Sequence, residues 1–111
     1  MVAYIPKRQD IVWVNFTPQA GHEQAGHRPA LVISHDLFNK KTGLVFVCPM
    51  TNHPPRNKFH VPLDQRIKAT GCIMTDQLKS LDYRARNLTF KERCPDLTFQ
   101  TVLTRIEPIL F

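Results

Sequence analysis

Ile11-Val12-Trp13-Val14-Asn15-Phe16, Thr17-Pro18-Gln19-Ala20-Gly21-His22-Glu23-Gln24-Ala25-Gly26-His27-Arg28 and Pro29-Ala30-Leu31-Val32-Ile33-Ser34 follow one another near the start of the chain. The first block alternates, with Val12 and Val14 on one face of a strand and Ile11, Trp13 and Asn15 on the other. The third is a continuous apolar, β-prone run, the pattern of a buried strand. Between them Pro18, Gly21 and Gly26 punctuate a loop over residues 17–27. Polar loops held by rigid strands are where small proteins place their chemistry. With Arg28 directly after it, this one brings together a carboxylate, two imidazoles, an amide and a guanidinium, groups able to move a proton and to hold a phosphate.

Working outward, residues 36–39 suit one helical turn and 39–43 a turn ending at Gly43. Leu44-Val45-Phe46-Val47-Cys48 is the strongest central strand. Residues 51–57 form a second loop in which Pro54-Pro55 forces an extended path. Short strands are expected at 59–63, at an edge because of Pro62, then at 70–75 and 87–90, with a turn or short helical piece at 77–82. From Asp96 onward Phe99, Val102, Leu103 and Ile106 recur at helical spacing, with Pro95 in the first turn. Pro108 is expected to stop or kink that helix and leave Ile109-Leu110-Phe111 as an extended tail. Many short strands and one C-terminal helix give a mostly β fold, a small antiparallel barrel or half-barrel, which also deals with exposed strand edges.

The 111 residues are enough for one domain with one core, spanning residues 1–111. Hydrophobic residues make up 42%, which excludes a disordered chain. Fifteen Lys and Arg against 9 Asp and Glu leave a net charge of +6 and a pI near 9.6, a balance suited to a polyanion or an acidic protein. Arg84, Arg86, Lys91 and Arg93 are the densest basic run. Cys48, Cys72 and Cys94 form neither a C-x-x-C motif nor a Cys/His metal spacing, so no metal or cofactor is expected. They read as reduced thiols of a cytoplasmic protein. The first eight residues do not make a signal peptide, and no apolar run reaches the roughly 18 residues of a membrane span.

Several blocks in order resemble the MazF/PemK (Kid) toxin family, and its MazF branch most. They are Asp10-Ile11-Val12-Trp13-Val14, Gly21-x-Glu23-Gln24-Ala25-Gly26-His27-Arg28-Pro29-Ala30-Leu31-Val32-Ile33-Ser34, Asn39-Lys40-Lys41-Thr42-Gly43, Pro49-Met50-Thr51, and Asp76-Gln77-Leu78-Lys79-Ser80 with Arg84-Ala85-Arg86. The resemblance covers nearly the whole chain. It implies a homodimeric SH3-like barrel that cleaves single-stranded RNA, usually mRNA, sequence-specifically; with no metal cluster readable in the sequence, the cleavage is expected to be metal-independent. It also implies a cognate antitoxin whose acidic segment blocks the RNA groove. Three features depart from the family: Gln9 stands where a Gly usually precedes the strand-opening Asp, His22 precedes Glu23, and the loop over residues 52–58 is this chain's own.

RNA carries its own nucleophile, the 2′-hydroxyl. Its cleavage needs a base for that proton, positive charge for the phosphorane and a donor for the leaving 5′-oxygen. Arg28 suits the phosphorane, since a guanidinium stays protonated and can hold two oxygens; by resemblance it is the family's catalytic arginine. Thr51, at the end of the central strand, can donate its hydroxyl to a phosphate oxygen or simply cap a turn; in the family a Thr at this place pairs with the arginine. Glu23 is either the general base or the group that organises Arg28 and its loop. His22 and His27 are rivals for proton transfer, and His27 adjoins Arg28. Gln24, Gln77, Lys79 and Arg86 are candidates for binding RNA, as is His27: amides read base edges and cations hold phosphates. Arg56 and Lys58 are expected on a mobile loop that closes over RNA or is displaced by the antitoxin. Trp13 and Phe16 read as core or dimer-interface residues, with base stacking possible for Phe16. A CcdB-like toxin or a plain RNA-binding barrel, acting by binding alone, would not need Glu23, Arg28 and Thr51 together.

Overall fold

The computed structural model describes residues 4–16, 26–64 and 71–111. Among them the chain forms β1 (Asp10–Asn15), β2 (His27–Val32), α1 (Asp36–Thr42), β3 (Leu44–Thr51), β4 (His60–Pro62), β5 (Cys72–Met74), a 3₁₀ turn (Thr75–Gln77), β6 (Lys79–Asp82), β7 (Thr89–Arg93) and α2 (Asp96–Leu110). All the pairings are antiparallel and run β4-β5-β3-β2-β1-β7, with β6 joined to β3 off this path. The mostly β fold with a C-terminal helix is thus as expected; among the described residues no ladder joins β4 to β7.

The period-two rule divides the central strands into two buried faces. Ile11, Leu31, Cys48 and Met50 point to one side, where Phe99, Val102 and Ile106 of α2 cover them. Val12, Val14, Ala30, Val32, Val45 and Val47 point to the other, where Leu81, Tyr83, Leu88 and Phe16 enclose them. Burial on both sides explains why β2 and β3 read as unbroken apolar runs.

Three expectations are corrected. Residues 79–82 form strand β6, in register Val45↔Leu81 and Val47↔Lys79, where a turn or helical piece is expected. Leu81 is its only apolar residue, so the segment gives little signal by itself. Residues 36–42 form a longer helix than one turn and end at Gly43 in the left-handed region (φ 74°). Pro108 lies inside α2, which runs on to Leu110, and the Phe111 N–H donates to the Glu107 carbonyl at 2.8 Å. Pro108 removes the N–H that would serve the Thr104 carbonyl, but both residues are exposed, so water can take its place and the helix loses only one bond near its end.

Gln9 takes φ 79°, a backbone conformation that favours glycine. Its side chain holds it there. Nε2 donates to the Cys94 carbonyl (2.7 Å) and Asp96 Oδ1 (2.6 Å), and Oε1 accepts from Arg93 Nη2 (3.3 Å). Its backbone N–H donates to the Val32 carbonyl (2.9 Å). The departure from Gly at this position thus fastens β1, β2 and the start of α2 together.

Candidate RNA-cleavage site

Register brings the leading candidates together. β2 and β3 pair as Ala30↔Pro49, Leu31↔Cys48 and Val32↔Val47; the ladder ends there, and Arg28 and Thr51 each lie two residues beyond its last pair, on neighbouring strands and at the same end of the sheet. Arg28 also pairs with Val14 of β1. It is exposed, at the polar end of the row whose inner members are Ala30 and Val32. Because β2 begins at His27, Arg28 stands on a strand rather than in the loop before it. A side chain on a hydrogen-bonded strand has a fixed root, which a loop would not provide.

Thr51 is buried at the last position of β3 and pairs with Cys72 of β5. Its Oγ1 accepts the His53 backbone N–H at 3.3 Å. The hydroxyl is therefore oriented as an acceptor toward the turn, and its own hydrogen can serve a phosphate oxygen. Gly71 (φ 100°) allows this arrangement, since a Cβ there would lie 1.7 Å from the Thr51 carbonyl oxygen.

Lys79 faces Val47 across the β3–β6 ladder and so shares the Arg28–Thr51 face. Its Nζ lies 5.3 Å from the ring centroid of Phe16, a cation–π contact that holds the ammonium beside the site. Phe16 is buried, and its N–H donates to the Gly26 carbonyl (2.8 Å) at the foot of the loop. Arg86 is half-buried against the end of β1, its Nη1 donating to the Asn15 carbonyl at 3.4 Å. His27 falls on the opposite face from Arg28, stacked on Trp13 with ring centroids 5.3 Å apart. Glu23, Gln24 and His22 lie outside the described residues.

A cavity of about 100 Å³ opens next to Thr51, lined also by His53, Arg56, His60, Met74 and Gln77. It joins Gln77 and Arg56 to the site from two different segments. The loop over residues 52–59 is tied down rather than loose. The Arg56 N–H donates to His60 Nδ1 (3.2 Å), Asn57 Nδ2 donates to Asp76 Oδ2 (3.2 Å), and Arg105 of α2 donates to the Lys58 carbonyl. His60 Nε2 lies 3.1 Å from Asp76 Oδ1. His60 stands in no family motif and Asp76 only heads the Asp76-Gln77 block; 16 residues apart, the two give no sign in the sequence that they meet.

The three cysteines are buried free thiols. Burial pushes the Cys48 and Cys94 thiols up to about 12 and also raises Cys72, so none is a nucleophile near neutral pH. No helix among the described residues is long and apolar enough to cross a membrane.

Residues 7–110 match the model of the PemK-like, MazF-like toxin of type II toxin–antitoxin systems. The chain belongs to this family. It is 36% identical over 107 residues to the endoribonuclease toxin MazF of Escherichia coli K12, covering 96% of each chain. It is 38% identical to the endoribonuclease PemK of Escherichia coli, over 94% of this chain and 81% of the relative. Its fold superimposes on the crystal structure of MazF (Form-I) from Deinococcus radiodurans with a TM-score of 0.91 at 38% identity, covering 97% of this chain and 98% of that one. The MazE–MazF (Form-II) structure from the same organism matches with a TM-score of 0.86. The chain is a MazF-like endoribonuclease toxin, and the strand ends carrying Arg28 and Thr51 are its candidate RNA-cleavage site.

Proposed function

We propose that this toxin cuts single-stranded RNA, mRNA in the cell, sequence-specifically and without a metal, and so stops translation and growth. The 2′-hydroxyl gives up its proton as its oxygen attacks the adjacent phosphorus, the bond to the 5′-oxygen breaks and that oxygen takes up a proton, and a 2′,3′-cyclic phosphate and a 5′-hydroxyl result. The observation that carries this reading is that Arg28 of β2 and Thr51 of β3 lie beyond the same end of one antiparallel ladder, with Lys79 paired to Val47 on the adjoining β6. The guanidinium and the hydroxyl stabilise the phosphorane oxygens, where charge develops in the transition state. Glu23 takes the 2′-proton or holds Arg28 in place. Gln77 and Arg56 hold the nucleotide beside Thr51, Lys79 and Arg86 hold flanking phosphates, Gln24 contacts the RNA from the neighbouring loop, and His27 meets it only where the strand passes round the end of the sheet, since its ring lies on the face opposite Arg28.

The working protein is a cytoplasmic homodimer of a single catalytic domain, residues 1–111. Its cognate antitoxin lays an acidic segment into the same basic groove. The MazE–MazF structure of the Deinococcus relative supports an antitoxin partner, and the +6 charge suits both RNA and an acidic peptide.

Mapping of cut sites on a long RNA in EDTA, wild type beside Arg28→Ala, tests the proposal. Discrete cuts ending in cyclic phosphate, lost by roughly 10²–10³-fold in the variant, are expected. Identical ladders from both proteins, or RNA bound but never cut, would overturn it.

A further inference from the structure

His60 opens β4, is buried, and uses its two ring nitrogens in opposite senses. The Arg56 backbone N–H points at Nδ1, which must therefore present a lone pair. The ring proton then sits on Nε2 and donates to Asp76 Oδ1 at 3.1 Å. Asp76 takes a second bond at Oδ2 from Asn57 Nδ2. Asn57 in turn receives the Phe59 N–H on its Oδ1 (2.8 Å), and its carbonyl accepts the His60 N–H (3.2 Å). The ring is thus the bolt between two segments distant in sequence, the Arg56 loop and the 3₁₀ turn that carries Gln77.

Both segments wall the cavity beside Thr51, and His60 lines it too. A shift of either changes the room next to the cleavage site. The position of Arg56 has no strand beneath it, since the residues on both sides of it are exposed and outside any ladder. Its place is set instead by the bond from its own N–H to His60.

We propose that His60 is a positioning residue of the RNA site: its Nδ1 and Nε2 together lock the Arg56 loop onto the Asp76–Gln77 turn, and so fix the cavity that receives the nucleotide beside Thr51. This rests on the RNA-cleavage reading for the identity of the ligand, and on the geometry alone for the lock. His60 touches no reacting atom, so its loss acts on substrate binding rather than on the chemical step.

Three substitutions separate the two bonds. His60→Asn keeps an acceptor where Nδ1 stood, His60→Gln keeps a donor where Nε2 stood, and His60→Leu keeps neither. Kinetics on a short RNA containing the mapped cut site, with hydrogen exchange of the Arg56 amide, give two independent readouts. In His60→Leu, KM is expected to rise roughly tenfold with kcat little changed, as for the loss of about 1.4 kcal/mol of binding. Asn and Gln should each restore part of it. The Arg56 amide should stay protected in wild type and His60→Asn, and exchange quickly in His60→Gln and His60→Leu. Equal Arg56 protection in all four proteins would overturn the lock, whether or not RNA is cut. Intact protection differences with an unmoved KM, or a fall in kcat and thermal stability alone, would overturn its role in RNA binding. A wild-type protein that cuts no RNA would instead sink the RNA-cleavage reading and leave the exchange result to decide the lock.

Discussion

The two faces of the central sheet share the same strands yet serve different ends. On the α2 side the row Ile11, Leu31, Cys48, Met50 is closed over by Phe99, Val102 and Ile106. On the other side the row Val12, Val14, Ala30, Val32, Val47 is just as dry inside, but it runs out at one end into Arg28, Thr51 and Lys79. One face is packing wherever α2 covers it. The other uses packing as a rigid root for charged and hydroxyl groups. Alternating residues of one strand, Leu31 and Arg28 on β2, thereby belong to stability and to chemistry respectively.

The sharpest way to break that division is Leu31→Ala. Leu31 is fully buried under α2, and truncation there should cost roughly 3–5 kcal/mol through lost burial and the cavity left behind. Urea unfolding should show the loss while kcat of the folded fraction stays unchanged. A large fall in kcat at full folding would mean the two faces are not separable.

Gly71→Ala should cross the division. The added Cβ meets the Thr51 carbonyl at 1.7 Å and the residue keeps a positive φ, so a destabilisation of roughly 2–3 kcal/mol is expected. Because the backbone that moves is that of Thr51, kcat should fall as well, measured on protein shown to be folded by circular dichroism. Gln9→Ala should act on stability alone, by roughly 1–2 kcal/mol, since it removes the bonds to Cys94 and Asp96 and leaves an unfavourable φ. Gln9→Gly should lose less, as glycine relieves the backbone; thermal melts of the two variants rank them.

The smallest effect concerns pH. The Cys48 and Cys94 thiols are raised from 9.0 to about 12, chiefly by burial. Between those values the unfolded chain has released protons that the folded chain retains, so stability falls as pH rises through that window and is unaffected below it. From pH 8 to pH 10 the loss should be on the order of 1 kcal/mol per thiol. The pH slope of the urea midpoint should flatten in Cys48→Ala.

Sequence patterning made the packed face more legible than the other. Apolar runs mark β1 and β3 at once, and the helical spacing of Phe99, Val102 and Ile106 marks α2. The first residues of β2 escape such a reading, because His27 and Arg28 pair through their backbones while their side chains are polar. β6 escapes for the same reason, as Lys79 and Ser80 pair with Val47 and Phe46. Arg28, Thr51, Gln77 and Lys79 are visible through the family's motifs, but that Arg28, Thr51 and Lys79 lie on adjoining strands, with Gln77 on the turn before β6, depends on register, which spacing alone does not encode. His60 lies in no such motif, and Asp76, although it heads one, carries no sign of a partner. Their meeting is made by the pairing of β4 with β5, His60 opposite Met74, and not by any local pattern.

The central claim is that Arg28 and Thr51 act as one unit at the open end of the sheet. A double-mutant cycle measures it directly: kcat on a short RNA carrying the cut site, for wild type, Arg28→Ala, Thr51→Val and the pair. Residues that stabilise the same phosphorane oxygens are strongly non-additive. The double variant should therefore be little slower than Arg28→Ala alone. Losses that simply multiply would show two independent residues and contradict the claim.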